Sequence, residues 1–459
     1  MLENRSFDHM LGFLQSPEYP IDGLTGTESN EDDNEQQVTV SNAARYAGDF
    51  DPDPGHDFDD VTLQIFGTSQ PALGAQPSMS GFVKSYARRC NGDIPASHRI
   101  MKCFAPSQLP ILTTLAKQYA VCDKWFASIP GPTLPNRLFA HAGTSRGRLD
   151  MSPDDFSNFT TIHEVLDKAD VSSTIYADGW SGVATIPYLL KFQTQFFATM
   201  DDFLQGCKRG KLSSYTFIEP RYGTSADPGG LLRPQNDQHP DSDVREGENL
   251  IWRVYNAIRG NKKIWNNCAL ILTYDEHGGL YDHVYPRTTV NPDGENSVNP
   301  SFDFKRLGVR VPAVIVSPFV KAGTIVSDTF DHTSILKTAA SLFRPAQPLD
   351  PTELGLRAAR ANDLSNCFDA SLFGNPRQDT PQFPAQGTIP PMPATGLNDL
   401  MSEYVQQAVF VEQKLPPGAR TGIDPASIRT DRDAQQYLEK VYEALRSGAI
   451  EVPAVGGRS

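Results

Sequence analysis

The chain has 459 residues, of which 39% are hydrophobic and 21% are charged, a composition typical of globular proteins. Its 41 basic residues against 55 acidic ones give a net charge of −14, which argues against a nucleic-acid partner because no basic footprint dominates. No apolar run approaches the roughly 18 residues that span a bilayer, so we expect at most peripheral membrane contact. No signal-peptide pattern is visible in this sequence, and we expect either a secreted or a cytoplasmic protein.

The first ten residues, MLENRSFDHM, combine polar side chains suited to chemistry with apolar residues suited to a core. Within them lie Glu3, Asn4 and His9. Residues 20–100 follow, and they are rich in Asp, Gly, Ser and Pro with little periodicity. We therefore predict long loops over 20–100, preceded by a segment that carries functional side chains.

From residue 105 to 345, helical and extended patterns alternate. Helical periodicity is found in SQLPILTTLAKQYA, TIHEVLDKA, ENLIWRVYNAI and HTSILKTAASLF, and the predicted strands are AVCDKWFAS, SSTIYA, SSYTFIE, CALILTY and VPAVIVSPF. Strands as apolar as the last two suit the centre of a parallel sheet that is covered on both faces. The pattern predicts an α/β protein, a three-layer α/β/α sandwich with a mostly parallel central sheet.

The predicted domain organisation has three parts. Residues 1–372 form a catalytic domain, with its core at 105–345, and residues 373–396 form a Pro-rich linker. Residues 397–459 form a helical extension, with amphipathic helices at about 397–414 and 430–447.

Acidic residues and histidines follow the predicted strand CALILTY in the segment DEHGGLYDHV. Functional groups collect at the carboxyl ends of strands in such sheets. Two adjacent carboxylates, Asp275 and Glu276, repel each other and favour a bound cation, and their oxygens suit a hard divalent ion. The alternative is a carboxylate pair that caps neighbouring loop amides. His277 and His283 nearby favour the metal interpretation.

The segment TLPNR predicts the start of a helix with Pro135 at its first position. Thr133 then lies just before the helix, and Asn136 and Arg137 lie in its first turn. Unpaired amides at a helix N-terminus favour an anion. Thr133 therefore fits a nucleophile that faces a phosphate, and it fits equally well a simple N-cap.

Two other classes of function fit parts of the sequence. The segment GTSRG, which contains Ser145, matches the G-x-S-x-G nucleophile elbow of carboxylesterases and lipases. That elbow requires a strand before the serine and a helix after it, whereas here a helical segment precedes and a loop follows. A non-catalytic, metal-dependent binding protein is the second alternative. It leaves the hydroxyl at a helix start unexplained.

Six segments occur in the order typical of a known family: ENRSFDHMLGFL, TLPNR, YTFIEPRY, NDQHPDSDVREGE, YDEHGGLYDHV and GVRVPAVIVSPFV. Together they resemble the phosphoesterase family of non-specific phospholipases C and bacterial acid phosphatases. The resemblance is to the shorter fungal and plant-like members, and it implies an alkaline-phosphatase-like fold. In that family a hydrophobic strand precedes the first segment, so the chain is expected to be N-terminally truncated.

The resemblance also implies the roles of individual residues. Thr133 is expected to be the nucleophile, and His56 and His239 to contact the phosphoryl oxygens or assist the leaving group. Substrate contacts are expected from Asn136, Arg137 and His283. The metal ligands that the resemblance implies are Glu3, Asn4, Asp275 and Glu276.

The function predicted from the sequence is therefore hydrolysis of phosphoric esters with a divalent metal ion of unidentified element and a phospho-enzyme intermediate. The substrate is expected to be a phospholipid or a small phosphate ester.

Overall fold

The structure is a computed structural model, and it describes residues 1–151, 159–226, 229–298, 300–384, 389 and 396–447. The chain forms two compact units, Met1–Asp150 with Asn236–Pro390 and Met151–Gln235 with Pro391–Ser459. The boundaries predicted at 372 and 396 stay a prediction. Part of the predicted linker, and the end of the predicted extension from 448 to 459, lie outside the described residues.

The secondary structure alternates between helices and short strands. In chain order the helices are α1 (Phe7–Leu11), α2 (Phe58–Phe66), α3 (Phe82–Arg89), α4 (Ile94–Ser97), α5 (Pro110–Gln118), α6 (Thr133–Ala142), α7 (Ile162–Asp167), α8 (Pro187–Lys191), α9 (Gln193–Phe196), α10 (Met200–Arg209), α11 (Val244–Arg259), α12 (Lys262–Trp265), α13 (Thr333–Phe343), α14 (Pro351–Arg360), α15 (Asp399–Gln413) and α16 (Asp431–Arg446). The strands are β1 (Ser29–Glu31), β2 (Gln37–Thr39), β3 (Ala120–Cys122), β4 (Ser173–Tyr176), β5 (Phe197–Ala198), β6 (Tyr215–Ile218), β7 (Ser225–Ala226), β8 (Leu232–Arg233), β9 (Leu270–Thr273), β10 (Ser297–Val298), β11 (Ser301–Phe302), β12 (Ala313–Val316) and β13 (Thr324–Val326). The α/β class is confirmed.

The four-stranded sheet of the first unit is mixed, with the strand order β13–β3–β12–β9. Strand β12 runs antiparallel to both β3 and β9, and β13 runs parallel to β3. The parallel arrangement predicted for CALILTY and VPAVIVSPF is therefore wrong. A continuous run of apolar residues indicates that a strand is buried on both faces, as β12 is. It does not indicate whether the neighbouring strand runs parallel or antiparallel to it.

The three-stranded sheet of the second unit is parallel, in the order β5–β4–β6. The same unit contains α15 and α16, which the sequence predicted at about the same positions. Tyr437 of α16 donates a hydrogen bond of 2.7 Å to Glu412 of α15. None of the described helices combines the length and the hydropathy that a membrane span requires.

The start of the chain is held beside β9. Leu2 donates from its backbone N–H to the Thr273 carbonyl at 2.9 Å, and its own carbonyl accepts from the Asp275 N–H at 3.2 Å. This isolated parallel bridge places Leu2 beside Tyr274, the residue that follows β9. It carries Glu3 and Asn4 to the end of β9, where Asp275 lies.

Candidate active site

Glu3, Asn4 and Asp275 meet in a buried junction. The backbone N–H of Asn4 donates to Asp275 Oδ1 at 3.0 Å, and the N–H of Glu276 donates to the same oxygen at 2.7 Å. All four side chains are at most 1% exposed. Gly278 makes this approach possible, because a Cβ at that position would lie 2.2 Å from the carbonyl oxygen of Asn4. The two segments that the sequence singled out are thus brought together.

Thr133 is the first residue of α6, and Pro132 is the N-cap. The prediction that the helix begins at Pro135 is wrong by two residues. Proline fits the third position as well as the first, since the first four N–H groups of a helix have no partner within it. The Thr133 hydroxyl donates to Asn4 Oδ1 at 3.0 Å and lies 3.4 Å from Glu3 Oε2. The hydroxyl therefore faces the junction.

Arg137 lies between two of the carboxylates. Its Nε donates to Asp275 Oδ2 at 3.0 Å, and an Nη contacts Glu3 Oε1. One buried guanidinium thus pairs with two carboxylates of a junction that contains three buried ones, those of Glu3, Asp275 and Glu276. Burial raises the pKa of the Glu3 carboxyl well above its usual value, although Arg137 opposes this effect.

The residues of this junction fit a divalent cation. The carboxylates outnumber the arginine, and a buried excess of negative charge is costly without a counter-ion. Two buried atoms, Glu276 Oε1 and Asn4 Nδ2, have no hydrogen-bond partner, so one carboxylate oxygen of the predicted ligand set remains available. The carboxylate and amide oxygens of Glu3, Asn4, Asp275 and Glu276 are ligands of the kind that a hard divalent ion prefers.

A second acidic group contains Asp8, Asp282 and His283, whose ligand-type atoms come within 4.8 Å of one another. Arg310 donates to both carboxylates at 2.9 Å, which offsets much of their charge. His283 bonds to Asp8 Oδ2 at 2.6 Å and to Asp22 Oδ1 at 3.2 Å. Burial lowers the pKa of His283, but the hydrogen bonds to these aspartates outweigh it and raise the pKa to about 10. We interpret the group as a structural ion network. The substrate contact expected of His283 stays a prediction.

Two histidines lie on either side of Asp53. Its Oδ2 is 4.0 Å from His56 Nδ1 and 3.7 Å from His239 Nε2. His56 Nδ1 is also 4.0 Å from Glu276 Oε1, which connects the histidines to the carboxylate junction. Burial lowers the pKa of His56, but Glu276 and Asp53 outweigh it and the pKa is raised.

Asn136 is bound to its own loop. Its Nδ2 donates to the carbonyls of Gly131 at 2.9 Å and Pro132 at 3.1 Å, and its Oδ1 accepts from the N–H of Ile129 at 3.0 Å. These bonds fix the loop that leads into α6. The substrate contact expected of Asn136 stays a prediction.

Ser145 does not lie on a nucleophile elbow. Helix α6 precedes it, and its hydroxyl donates to the carbonyl of Arg148 at 2.8 Å within a turn. A strand before the serine is what an elbow requires, and the helix before it excludes that geometry.

His332, the N-cap residue of α13, is a supporting residue. Its Nδ1 accepts from Trp125 Nε1 at 3.3 Å, so Nε2 carries the proton and donates to the Asp275 carbonyl at 2.5 Å. Sequence reasoning missed Asp53 and Asp241 at the site. Their position within three residues of His56 and His239 was the available signal.

The chain is similar to several known proteins. A model of the Phosphoesterase family matches residues 1–344. Non-specific phospholipase C6 of Arabidopsis thaliana is 38% identical, and the match covers 100% of this chain and 90% of that protein. Non-specific phospholipase C1 of the same plant is 34% identical over 98% of this chain and 87% of its own length. A solved structure of an alkaline phosphatase superfamily protein from Vibrio parahaemolyticus is 12% identical, with a TM-score of 0.32 over 53% of this chain and 68% of its own.

These findings define the chain as a hydrolase that acts on ester bonds. It belongs to the Phosphoesterase family, as the resemblance had implied.

Proposed function

We propose that the protein is a phospholipase C that hydrolyses the phosphodiester of a phospholipid on the glycerol side, with Thr133 as its nucleophile. The observation that carries the proposal is the Thr133 hydroxyl, which lies at a helix N-terminus and 3.0 Å from Asn4 Oδ1. The two plant relatives that cover nearly the whole chain are named non-specific phospholipases C, and this supports a phospholipid substrate.

In the first step the oxygen of Thr133 attacks phosphorus, and its proton passes to water. The bond between phosphorus and the glycerol oxygen breaks, and diacylglycerol leaves after its oxygen takes a proton from His239. In the second step water attacks the phosphorus of the phospho-threonine and gives a proton back to His239. The bond between phosphorus and the Thr133 oxygen breaks, this oxygen takes back a proton from water, and the phosphorylated headgroup leaves. Splitting the reaction in this way replaces one difficult displacement by two easier ones.

Glu3, Asn4, Asp275 and Glu276 would hold the divalent ion. When bound, such an ion stabilises charge on the phosphoryl oxygens and lowers the pKa of a nearby hydroxyl. Arg137 orients Glu3 and Asp275 through its two contacts, and the N-terminal amides of α6 favour the anionic phosphoryl group.

The test uses three variants, Thr133→Ala, Thr133→Ser and Ser145→Ala, assayed on phosphatidylcholine and on a phosphomonoester side by side. We expect Thr133→Ala to lose at least about 1,000-fold in kcat, because the covalent step is removed. Thr133→Ser keeps a hydroxyl and loses less. Ser145→Ala is the matched control, because Ser145 bonds only within its turn among its described contacts.

Turnover of phosphatidylcholine that survives Thr133→Ala would reject the nucleophile. Carboxylester hydrolysis that depends on Ser145 would favour the lipase alternative. Hydrolysis of the phosphomonoester but not of phosphatidylcholine would support Thr133 as the nucleophile and would reject the phospholipid as the substrate.

A further inference from the structure

His239 is held on a rigid loop. Its N–H donates to Asp237 Oδ1 at 3.0 Å, and its carbonyl accepts from an Nη of Arg5 at 3.1 Å and from the Ser242 hydroxyl at 2.9 Å. The preceding residue, Gln238, has a φ of 69° and donates from its side chain to the Val244 carbonyl at 2.8 Å. The backbone position of His239 is thus fixed independently of its ring.

The ring of His239 is 1% exposed and lies between two carboxylates. Nδ1 is 2.7 Å from Asp241 Oδ1, which is the length of a charge-assisted hydrogen bond. Nε2 is 3.7 Å from Asp53 Oδ2, which is too long for a hydrogen bond. The Nδ1–H is therefore committed to Asp241, and Nε2 is the atom that faces Asp53.

The carboxylates offset the cost of burying a charged ring. Burial lowers the pKa of His239, but Asp241 and Asp53 outweigh it and hold the pKa well above the usual value. Asp241 is the partner in hydrogen-bond contact, and it is itself 19% exposed, so it retains part of its hydration. A carboxylate on one ring nitrogen fixes the tautomer and makes the other nitrogen the site of proton transfer.

We propose that Asp241 is a positioning residue that keeps His239 oriented, with Nε2–H directed at the leaving oxygen of the substrate. The proposal rests on the proposed function, in which His239 protonates the departing alkoxide. The proton moves from Nε2 to the glycerol oxygen as its bond to phosphorus breaks, and Asp241 stays ionised throughout. The need to protonate the leaving oxygen is strong when an alkoxide leaves and weak when the leaving group departs as a stable anion.

The experiment compares two substrates that transfer the same phosphocholine group, dihexanoyl phosphatidylcholine and 4-nitrophenyl phosphocholine. We expect Asp241→Asn to lower kcat/KM for the phosphatidylcholine by roughly 10- to 100-fold and for the nitrophenyl ester by less than about 3-fold. In a His239→Gln background, Asp241→Asn should add no further loss, because the two residues act as one unit.

Asp243→Asn is the matched control. Asp243 lies in the same loop, caps α11 and pairs with Arg245. We expect this variant to change stability and to leave the ratio of the two substrates unaltered. Equal losses of Asp241→Asn on both substrates, or no loss on either, would overturn the positioning role.

If the wild-type protein hydrolyses neither substrate, the proposed function is rejected. NMR titration of the His239 ring then tests the positioning role of Asp241 independently of activity. Among the described residues, the charged groups that act on this ring are Asp53, Asp237, Asp241 and His56, and Arg5 lies at the backbone carbonyl of His239. Asp241→Asn should lower the titration midpoint by about one pH unit or more, since it removes the charge in hydrogen-bond contact. An unchanged midpoint would contradict the role.

Discussion

Gly278 occupies a backbone conformation that only glycine adopts without strain. Its φ is +63°, and an added Cβ would lie 2.2 Å from the carbonyl oxygen of Asn4. We expect Gly278→Ala to destabilise the fold by more than about 2 kcal/mol, because steric overlap adds to the cost of the left-handed conformation. Asn4 must also move, so kcat for phosphoester hydrolysis should fall by at least about 10-fold. Denaturant unfolding and steady-state kinetics measure the two effects.

Gly294→Ala is the control for backbone strain alone. Gly294 has a φ of +84° and no atom within 4 Å of an added Cβ. This variant should lose about 1–2 kcal/mol and keep its kcat. Equal effects of the two substitutions would show that the close approach to Asn4 has no part in holding the site.

At the residue scale, the sequence located most of the junction. The segments with Glu3 and Asp275 were recognisable because functional side chains cluster in motifs, and the structure brings them together. Asp241 was not predicted, because a single aspartate near a histidine is common and only the fold shows which ring nitrogen it meets. The pairing of Arg137 with carboxylates could not be predicted either, because a contact between residues more than 130 positions apart produces no periodic pattern in the sequence.

At the element scale, a buried glutamate of α11 holds the start of α5. Glu248 accepts hydrogen bonds from the N–H groups of Ile111 at 2.6 Å and Leu112 at 3.0 Å. Burial raises the pKa of Glu248 to about 7, although these two bonds oppose the shift. Because the folded state then holds this proton above the pH at which the unfolded state loses it, the contribution of Glu248 to stability falls as pH rises between about 4.5 and 7.

The substitution Glu248→Gln removes the titrating group. We expect the free energy of unfolding of the wild type to decrease between pH 5 and pH 7.5 relative to that of this variant, by about 2 kcal/mol. Urea unfolding at both pH values measures the difference. Glu18→Gln, at an exposed glutamate, is the control and should follow the wild type. Parallel pH dependence in Glu248→Gln and the wild type would contradict the assignment.

Helices were the elements best predicted from sequence, because an apolar face at helical spacing directly reports which side is buried. Helix α11 shows this, with Leu250, Ile251 and Val254 all buried. Strand direction was predicted wrongly for β9 and β12, because direction depends on the path of the connection between strands. A run of apolar residues has the same appearance in either orientation.

At the scale of the whole molecule, the junction should couple cation binding to stability. The junction contains three buried carboxylates, and Arg137 pairs with two of them. An ion that binds only the folded state raises its stability by mass action. We expect millimolar Ca²⁺, Mg²⁺, Mn²⁺ or Zn²⁺, tested one at a time after chelator treatment, to raise Tm by several degrees for at least one ion. Differential scanning calorimetry measures the shift, with activity as a second readout.

Two variants identify where the ion acts. Glu276→Gln should lose most of the Tm shift, because Glu276 Oε1 has no hydrogen-bond partner and is the available oxygen. His283→Gln should retain it, since the network around Asp8 is already balanced by Arg310. The opposite pattern would move the cation to the Asp8 group. No shift with any ion in the active wild type would reject the predicted metal requirement.

The hydrogen bond between Asn4 and Asp275 joins residues separated by 271 positions, and the ion pair between Asp8 and Arg310 spans 302. During synthesis at about 5–20 residues per second, the segment around Asp8 waits about 15–60 seconds before its arginine leaves the peptidyl-transferase centre. Throughout that interval Phe7, Met10 and Leu11, which are buried in the finished protein, lack their native environment. The contact of Asn4 with Asp275 and that of Asp8 with Arg310 can therefore form only after more than half of the chain has been synthesised.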